Sequence, residues 1–201
     1  MSDSIQQQLT NARRDQIIGA AIQVISEKGF QKTTVRQIAQ AAGIADGTIY
    51  NYFKNKDDIL MAIVGKLTEA EVREVHFGEA EQIDFDTFIE EYFTHRAMEV
   101  EAGLAGMRVI FSETMVNEKL ARLVFDQVYG PAFEVAEKYF AHQMEIGRIP
   151  KSDPTIVGRL MTAPLMGLLT LRLLGDEHVA EHWAEHVKAM VELLKAAYRQ
   201  D

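Results

Sequence analysis

Apolar residues recur along most of this chain at three- and four-residue spacing, a period that predicts helices from end to end. Ile17, Ala20, Ala21, Val24 and Ile25 make one face of a first helix expected over Asn11–Lys28, with Gly29 placed to end it. Residues 1–10 are polar and read as a disordered arm. A short helix follows from about Thr34 to Ala41, where Thr34 and Gln37 fit a capping box that satisfies orphan N–H groups at the helix start. Ala42-Gly43 is the break, because glycine takes the positive φ of a sharp turn. A second short helix is expected from near Ala45. Its apolar Ile44, Ile49 and Phe53 face Ile38, Ala39 and the preceding helix, which leaves Gly47, Thr48, Tyr50, Asn51 and Tyr52 as its polar or small positions. Lys54 and Lys56 come next, placed to meet phosphate.

A longer helix is expected from Lys56 to about His76, with Asp57 and Asp58 in the first turn where the helix dipole favours anions. Residues 78–82 read as a loop, and a further helix spans Asp84 to Val100. Gly103 and Gly106 bracket a break, Leu104–Val116 is a short helix, and Asn117–Tyr139 or beyond is another, kinked or divided at Pro131. Asp153 as N-cap and Pro154 at the first helical position open a helix that ends near Leu174, stopped by Gly175. The last helix runs from about Glu177 to Tyr198. No segment alternates with the period of a strand. The expected fold is all-α with about nine helices.

Composition narrows the function. Of 201 residues, 47% are hydrophobic and 25% charged, the balance of a globular chain with a real core. There is no cysteine, which removes disulfides and thiolate metal sites and fits a cytoplasmic location. The N-terminus has no basic or apolar signal region, and the most apolar stretch, Leu160–Leu174, holds Pro164 and Arg172, so no membrane partner is expected. The formal charge of −9 argues at first against nucleic acid, but it is unevenly spread: residues 1–60 carry a net +1 and the remainder −10. An acidic body with a locally basic head suits DNA binding by one end only. So modest a head charge predicts that two heads act together to gather phosphate contacts.

The stretch Thr33-Thr34-Val35-Arg36-Gln37-Ile38-Ala39, then Ala42-Gly43-Ile44, then Gly47-Thr48-Ile49-Tyr50-Asn51-Tyr52-Phe53-Lys54-Asn55-Lys56, with Asp58-Ile59-Leu60 after it, closely resembles the DNA-binding segment of the TetR family of bacterial transcriptional regulators. The resemblance covers roughly residues 13–60. It implies a helix-turn-helix DNA-binding domain over 11–56 and a ligand-binding and dimerisation domain over 57–201. It places Thr34, Ala45, Gly47, Thr48, Tyr50, Asn51, Tyr52 and Lys56 at or near the duplex, and Arg36 within reach of base edges. Asp46 departs from the polar or basic residues often seen nearby; a carboxylate there either accepts from cytosine N4 or caps the helix.

The body is rich in methionine and phenylalanine, which suit a plain core first and also an apolar ligand pocket. Met61, Phe88, Tyr92, Met107, Phe111, Phe125, Met161 and Leu165 are the candidate lining residues. The resemblance implies a small hydrophobic or amphipathic effector, and the head is most like that of members responsive to fatty acyl-CoA, so an acyl-CoA or fatty acid is the named candidate. Ile156, Leu160, Gly167 and Leu171 on one C-terminal helix, with Trp183, Val187, Met190 and Leu194 on the next, form the expected homodimer surface; packing within the chain is the other reading. His178, His182 and His186 follow at i, i+4, i+8, a spacing open to metal but more ordinary as a solvated face, and no metal or other cofactor is expected. No P-loop, G-x-S-x-G or G-x-G-x-x-G motif occurs, so no enzyme is expected. The expected function is a ligand-responsive regulator, a repressor released from a palindromic operator by its effector. The alternatives are an activator or architectural regulator without effector, and a ligand-binding helical protein with a relic head.

Overall fold

The computed structural model describes residues 2–68 and 83–198. All regular structure among them is helical. The α-helices are α1 (Ser2–Lys28), α2 (Val35–Ala41), α3 (Lys56–Thr68), α4 (Phe85–Thr114), α5 (Glu118–Val124), α6 (Gly130–Glu145), α7 (Pro154–Leu174), α8 (Glu177–Glu181) and α9 (Trp183–Tyr198). A 3₁₀ turn covers Thr48–Asn51 and a π turn covers Phe125–Tyr129. The chain forms two compact units. One holds the described residues up to Thr68 together with Gly103–Arg122; the other holds the described residues from 83 to Ala102 and from Leu123 onward.

In the first unit, α1 packs on α2 and α3. Ile17, Ala21, Ile38, Ala39, Ile49, Ile59 and Ile63 are sealed from solvent, so burial of one apolar face per element holds three short pieces at fixed angles. In the second unit, α6 lies along α7, and α7 meets α8 and α9. Phe88, Phe93, Tyr139, Phe140, Met161, Leu169 and Trp183 make its core. The indole N–H of Trp183 donates to the Ala97 carbonyl at 3.2 Å, tying α9 to α4.

Local signals hold where they are strongest. Thr34 and Gln37 form the reciprocal capping box. Gly43 turns the chain at φ 64°, Asp153 caps α7 through the Thr155 amide, and Gly175 ends it at φ 96°. Elsewhere the structure differs from the sequence expectation. The arm over 1–10 is helical from Ser2, because Gln6, Gln7, Gln8 and Leu9 are adequate helix formers and Thr10 bonds back to the Gln6 carbonyl. The helix expected from Ala45 is only the 3₁₀ turn Thr48–Asn51. β-branched and aromatic residues give little helical drive there, and the N–H groups of Thr48 and Tyr52 reach back only three residues, to Ala45 and Ile49.

Gly103 and Gly106 do not break α4, which runs unbroken from Phe85 to Thr114. Each glycine costs about 1 kcal/mol against alanine, which flanking Ala, Leu, Met and Glu outweigh. Pro131 does divide the helix expected over Asn117–Tyr139. Proline has no N–H to donate, and the backbone shifts register just before it, with the Gly130 N–H reaching Phe125 five residues back. The last helix splits at His182 (φ −114°, ψ 37°) into α8 and α9, and Asp176 caps the first piece. The expected continuation of α3 to His76 and the loop over 78–82 lie outside the described residues.

Candidate nucleic-acid interface

The first unit presents a polar turn on an apolar base. Ile49 and Phe53 anchor the 3₁₀ turn in the core, while Tyr50, Asn51, Gly47 and Ala45 are exposed, with Thr48 and Tyr52 half-buried. Two side chains fix the turn from behind. Arg14 of α1 donates to the Tyr52 carbonyl at 2.8 Å and its guanidinium lies 4.4 Å from the centre of the Phe53 ring. Gln16 donates to the Ala42 carbonyl at 2.7 Å, holding the bend between α2 and the turn. Beyond the turn, Asn55 accepts from the Asp58 amide and Asp58 accepts from the Lys54 amide, a reciprocal cap that starts α3. Arg14, Tyr50, Asn51, Tyr52, Lys54 and Met61 line a concavity of about 530 Å³ beside the turn. Its rim offers guanidinium, ammonium, amide and phenol donors, the groups that meet phosphate oxygens.

Arg36, on the exposed side of α2, pairs through Nε with Asp46 Oδ2 at 2.9 Å across the bend. Asp46 therefore does not cap the following turn, whose start carries no side-chain cap. Lys56 also differs from expectation. Its ammonium does not stand free for phosphate. It donates to the carbonyls of Phe30 (2.6 Å), Thr33 (3.0 Å) and Gln31 (3.4 Å), and lies 4.2 Å from the Phe30 ring centre. The chain leaving α1 exposes carbonyls with no helical partner, and a cation at the start of α3 is the donor within reach. Thr34 spends its hydroxyl on the Gln37 amide, so what it presents outward is a helix start.

The body residues named above scatter. Met61, Met107 and Phe111 belong to the first unit; Phe88, Tyr92, Phe125, Met161 and Leu165 belong to the second. Phe88 is buried, 4.4 Å from Tyr139 and 5.7 Å from Tyr92 between ring centres. Met161 and Leu165 are buried, whereas Phe125 is exposed on its π turn. An unanticipated groove of about 380 Å³ runs along α4 and α9, lined by Glu90, Thr94, Met98, Trp183, Val187 and Glu192 among others.

The expected dimer surface divides in two. Trp183, Val187, Met190 and Leu194 are 4–8% exposed and pack inside their own unit, which corrects their assignment to an intermolecular surface. Ile156, Leu160 and Leu171 of α7 remain 44–56% exposed, and Gly167 is exposed between them. The three histidines gather where the helix breaks: His178 lies 4.8 Å from His182 and 5.2 Å from His186 between ring centres, and His186 Nδ1 is 2.8 Å from the His182 carbonyl. Among the described residues no group of three or more His, Cys, Asp or Glu is arranged to hold a metal ion.

A fixed turn with exposed polar side chains, held on the apolar faces of α1 and α2, has the arrangement of a helix-turn-helix. The sequence profile described as "Bacterial regulatory proteins, tetR family" matches residues 17–63. The chain is 58% identical over 48 residues to the fatty acid metabolism regulator protein of Bacillus subtilis, covering 24% of this chain and 25% of that one. It is 42% identical over 67 residues to the regulator HbdR of an Aromatoleum species, covering 33% of this chain and 29% of that one. These matches thus span under a third of either relative. Over nearly the whole chain the fold is that of SmeT of Stenotrophomonas maltophilia in its triclosan complex, at TM-score 0.77 and 23% identity, covering 94% of this chain and 93% of that one. It is also that of FadR of Bacillus subtilis in complex with stearoyl-CoA, at TM-score 0.70 and 24% identity, covering 88% and 96%. The likeness to the tetR family of bacterial regulatory proteins thus rests on residues 17–63. The relatives named are regulators, not enzymes.

Proposed function

We propose that this protein is a cytoplasmic transcriptional repressor that binds a palindromic operator as a homodimer through residues 11–56 and is released by a small hydrophobic effector held by residues 57–201. The observation that carries the DNA reading is the 3₁₀ turn Thr48–Asn51, anchored by Ile49 and exposing Tyr50 and Asn51, with Arg36 exposed on α2. Gly47 lets the backbone come close to the duplex, Arg36 reads a base edge, and Thr34, Thr48, Tyr50, Tyr52 and Lys54 meet phosphate.

The dimer reading is supported by α7. By length and apolarity alone this helix could cross a membrane. Yet its inward side packs on α6, and its outward side carries Ile156, Leu160, Leu171 and Leu174 in one stripe with small Ala163 and Gly167 between them. An apolar stripe that lets another helix approach closely suits a second copy of the same chain. Two heads then meet successive major grooves about 34–36 Å apart. The effector reading is supported by the regulators of fatty acid metabolism among the relatives and by the stearoyl-CoA complex among the similar folds. The effector must bind the released form better than the DNA-competent one.

The test is selection of duplexes from a random pool by the purified chain, with and without stearoyl-CoA. Enrichment of a palindrome with half-sites about one turn apart is expected. Added acyl-CoA is expected to weaken binding about 5–150-fold. Equal operator binding by folded Arg36→Ala and Tyr52→Phe proteins would overturn the DNA reading. Indifference to acyl-CoA and to fatty acid would overturn the effector.

A further inference from the structure

The Arg36–Asp46 pair is poorly placed to stabilise the fold. Its side chains are 73% and 49% exposed, and exposed pairs of this kind add little to stability. It lies instead next to the exposed turn, with Asp46 two residues before Thr48, where a carboxylate is costly to DNA binding. Asp46 repels phosphate whatever the sequence of the duplex. A charge that opposes DNA at this position must bring its benefit through Arg36. The nearest approach of the pair is Nε to Oδ2, at 2.9 Å. A guanidinium carries five N–H donors, so pairing with one carboxylate leaves others to present outward. Two such donors match the two acceptors, N7 and O6, on the major-groove edge of guanine.

We propose that Asp46 is a positioning residue for sequence discrimination, holding Arg36 by their ion pair so that the remaining guanidinium donors meet a guanine and are withheld from phosphate. The inference rests on the DNA-binding reading above. An unrestrained arginine has several rotatable bonds and reaches phosphate at any sequence. Pinned by Asp46, it loses less freedom on meeting guanine and gains less from non-specific contact. Both effects raise the ratio of specific to non-specific affinity rather than the affinity itself.

The test uses the full chain, the operator recovered by selection, and operator duplexes carrying each base at the position whose preference Arg36→Ala abolishes. Asp46→Asn is expected to bind a scrambled duplex more tightly than the parent and to discriminate about fivefold less, or worse, at that one position, with an unchanged melting temperature. Asp46→Ser serves as the second variant, since it removes the carboxylate with a different shape. In the Arg36→Ala background, Asp46→Asn is expected to strengthen binding to all duplexes equally and to alter no base preference. Unchanged discrimination in both Asp46 variants overturns the proposal, as does an equal loss of discrimination with and without Arg36. If the parent itself selects no sequence, the DNA reading fails and this proposal with it; parental selection alongside unchanged Asp46 variants condemns the proposal alone.

Discussion

Lys56 offers the sharpest separation between a structural and a nucleic-acid role. Lys56→Met keeps the aliphatic stem against Phe30 and removes the charge and the hydrogen bonds. The ammonium holds the carbonyls of Phe30 and Thr33 at 2.6 and 3.0 Å and reaches Gln31 at 3.4 Å. Hydrogen bonds to charged groups are worth about 1.5–3 kcal/mol each. Water can replace part of the contact, because Lys56 is only half-buried, so the bonds do not sum. The ring contact at 4.2 Å adds about 0.5–1 kcal/mol. A net loss of about 2–3 kcal/mol follows. In a chain of this length that lowers the melting temperature by about 4–12 °C. The assay is thermal unfolding of parent and variant, paired with the salt dependence of operator binding below the transition. A clamp shows as a lower melting temperature with the salt slope unchanged. A phosphate contact shows as an unchanged melting temperature with the slope of log affinity against log salt reduced by about 0.9. The second pattern would refute the structural assignment.

Other expectations are equally direct. Thr34→Ala removes one side of the capping box and should cost about 1 kcal/mol, read as a shift of the urea midpoint. Leu160→Glu on the exposed face of α7 should give a folded monomer by sedimentation, whereas Met190→Ala in the core should cost about 2–5 kcal/mol without changing the state of association. Lys195 is buried against Glu90 at 2.5 Å, and that hydrogen bond holds its pKa above the usual 10.5. Its contribution is therefore complete below 10.5 and is lost as the pH rises through the elevated value, so denaturant midpoints should fall more steeply with pH in strong base for the parent than for Lys195→Met. Asp84 behaves with the opposite sign. The Thr87 hydroxyl and amide hold its pKa below 3.8, so its contribution is present above that value and is lost as the pH falls below it; Asp84→Asn should flatten that part of the acid limb.

What the sequence determined by itself was set within a few residues of the signal. Thr34 with Gln37, the bend at Gly43, Asp153 before Pro154 and the stop at Gly175 depend on groups that the local backbone brings together in any context. The helical period, the all-α class and the resemblance carried by residues 13–60 were legible for the same reason. Where local preferences were weak or opposed, packing chose: α4 runs through Gly103 and Gly106, and the stretch after Ala45 closes as a 3₁₀ turn. Only the tertiary structure decided where long side chains end. Lys56 follows Lys54 by two residues and looks alike in sequence, yet one caps carbonyls 23–26 positions away while the other stays at the surface. Asp46 and Arg36 become partners because the bend at Gly43 folds ten residues of chain back on themselves. Two apolar helices, α7 and α9, offered the same pattern of large residues. Which face lies inward depends on what else each unit supplies: Ala97 of α4 takes the Trp183 indole and turns α9 inward, while the stripe from Ile156 to Leu174 remains in solvent. Periodicity marks a face as apolar, but the partner that covers it is fixed by residues far away in the chain or in another copy of it.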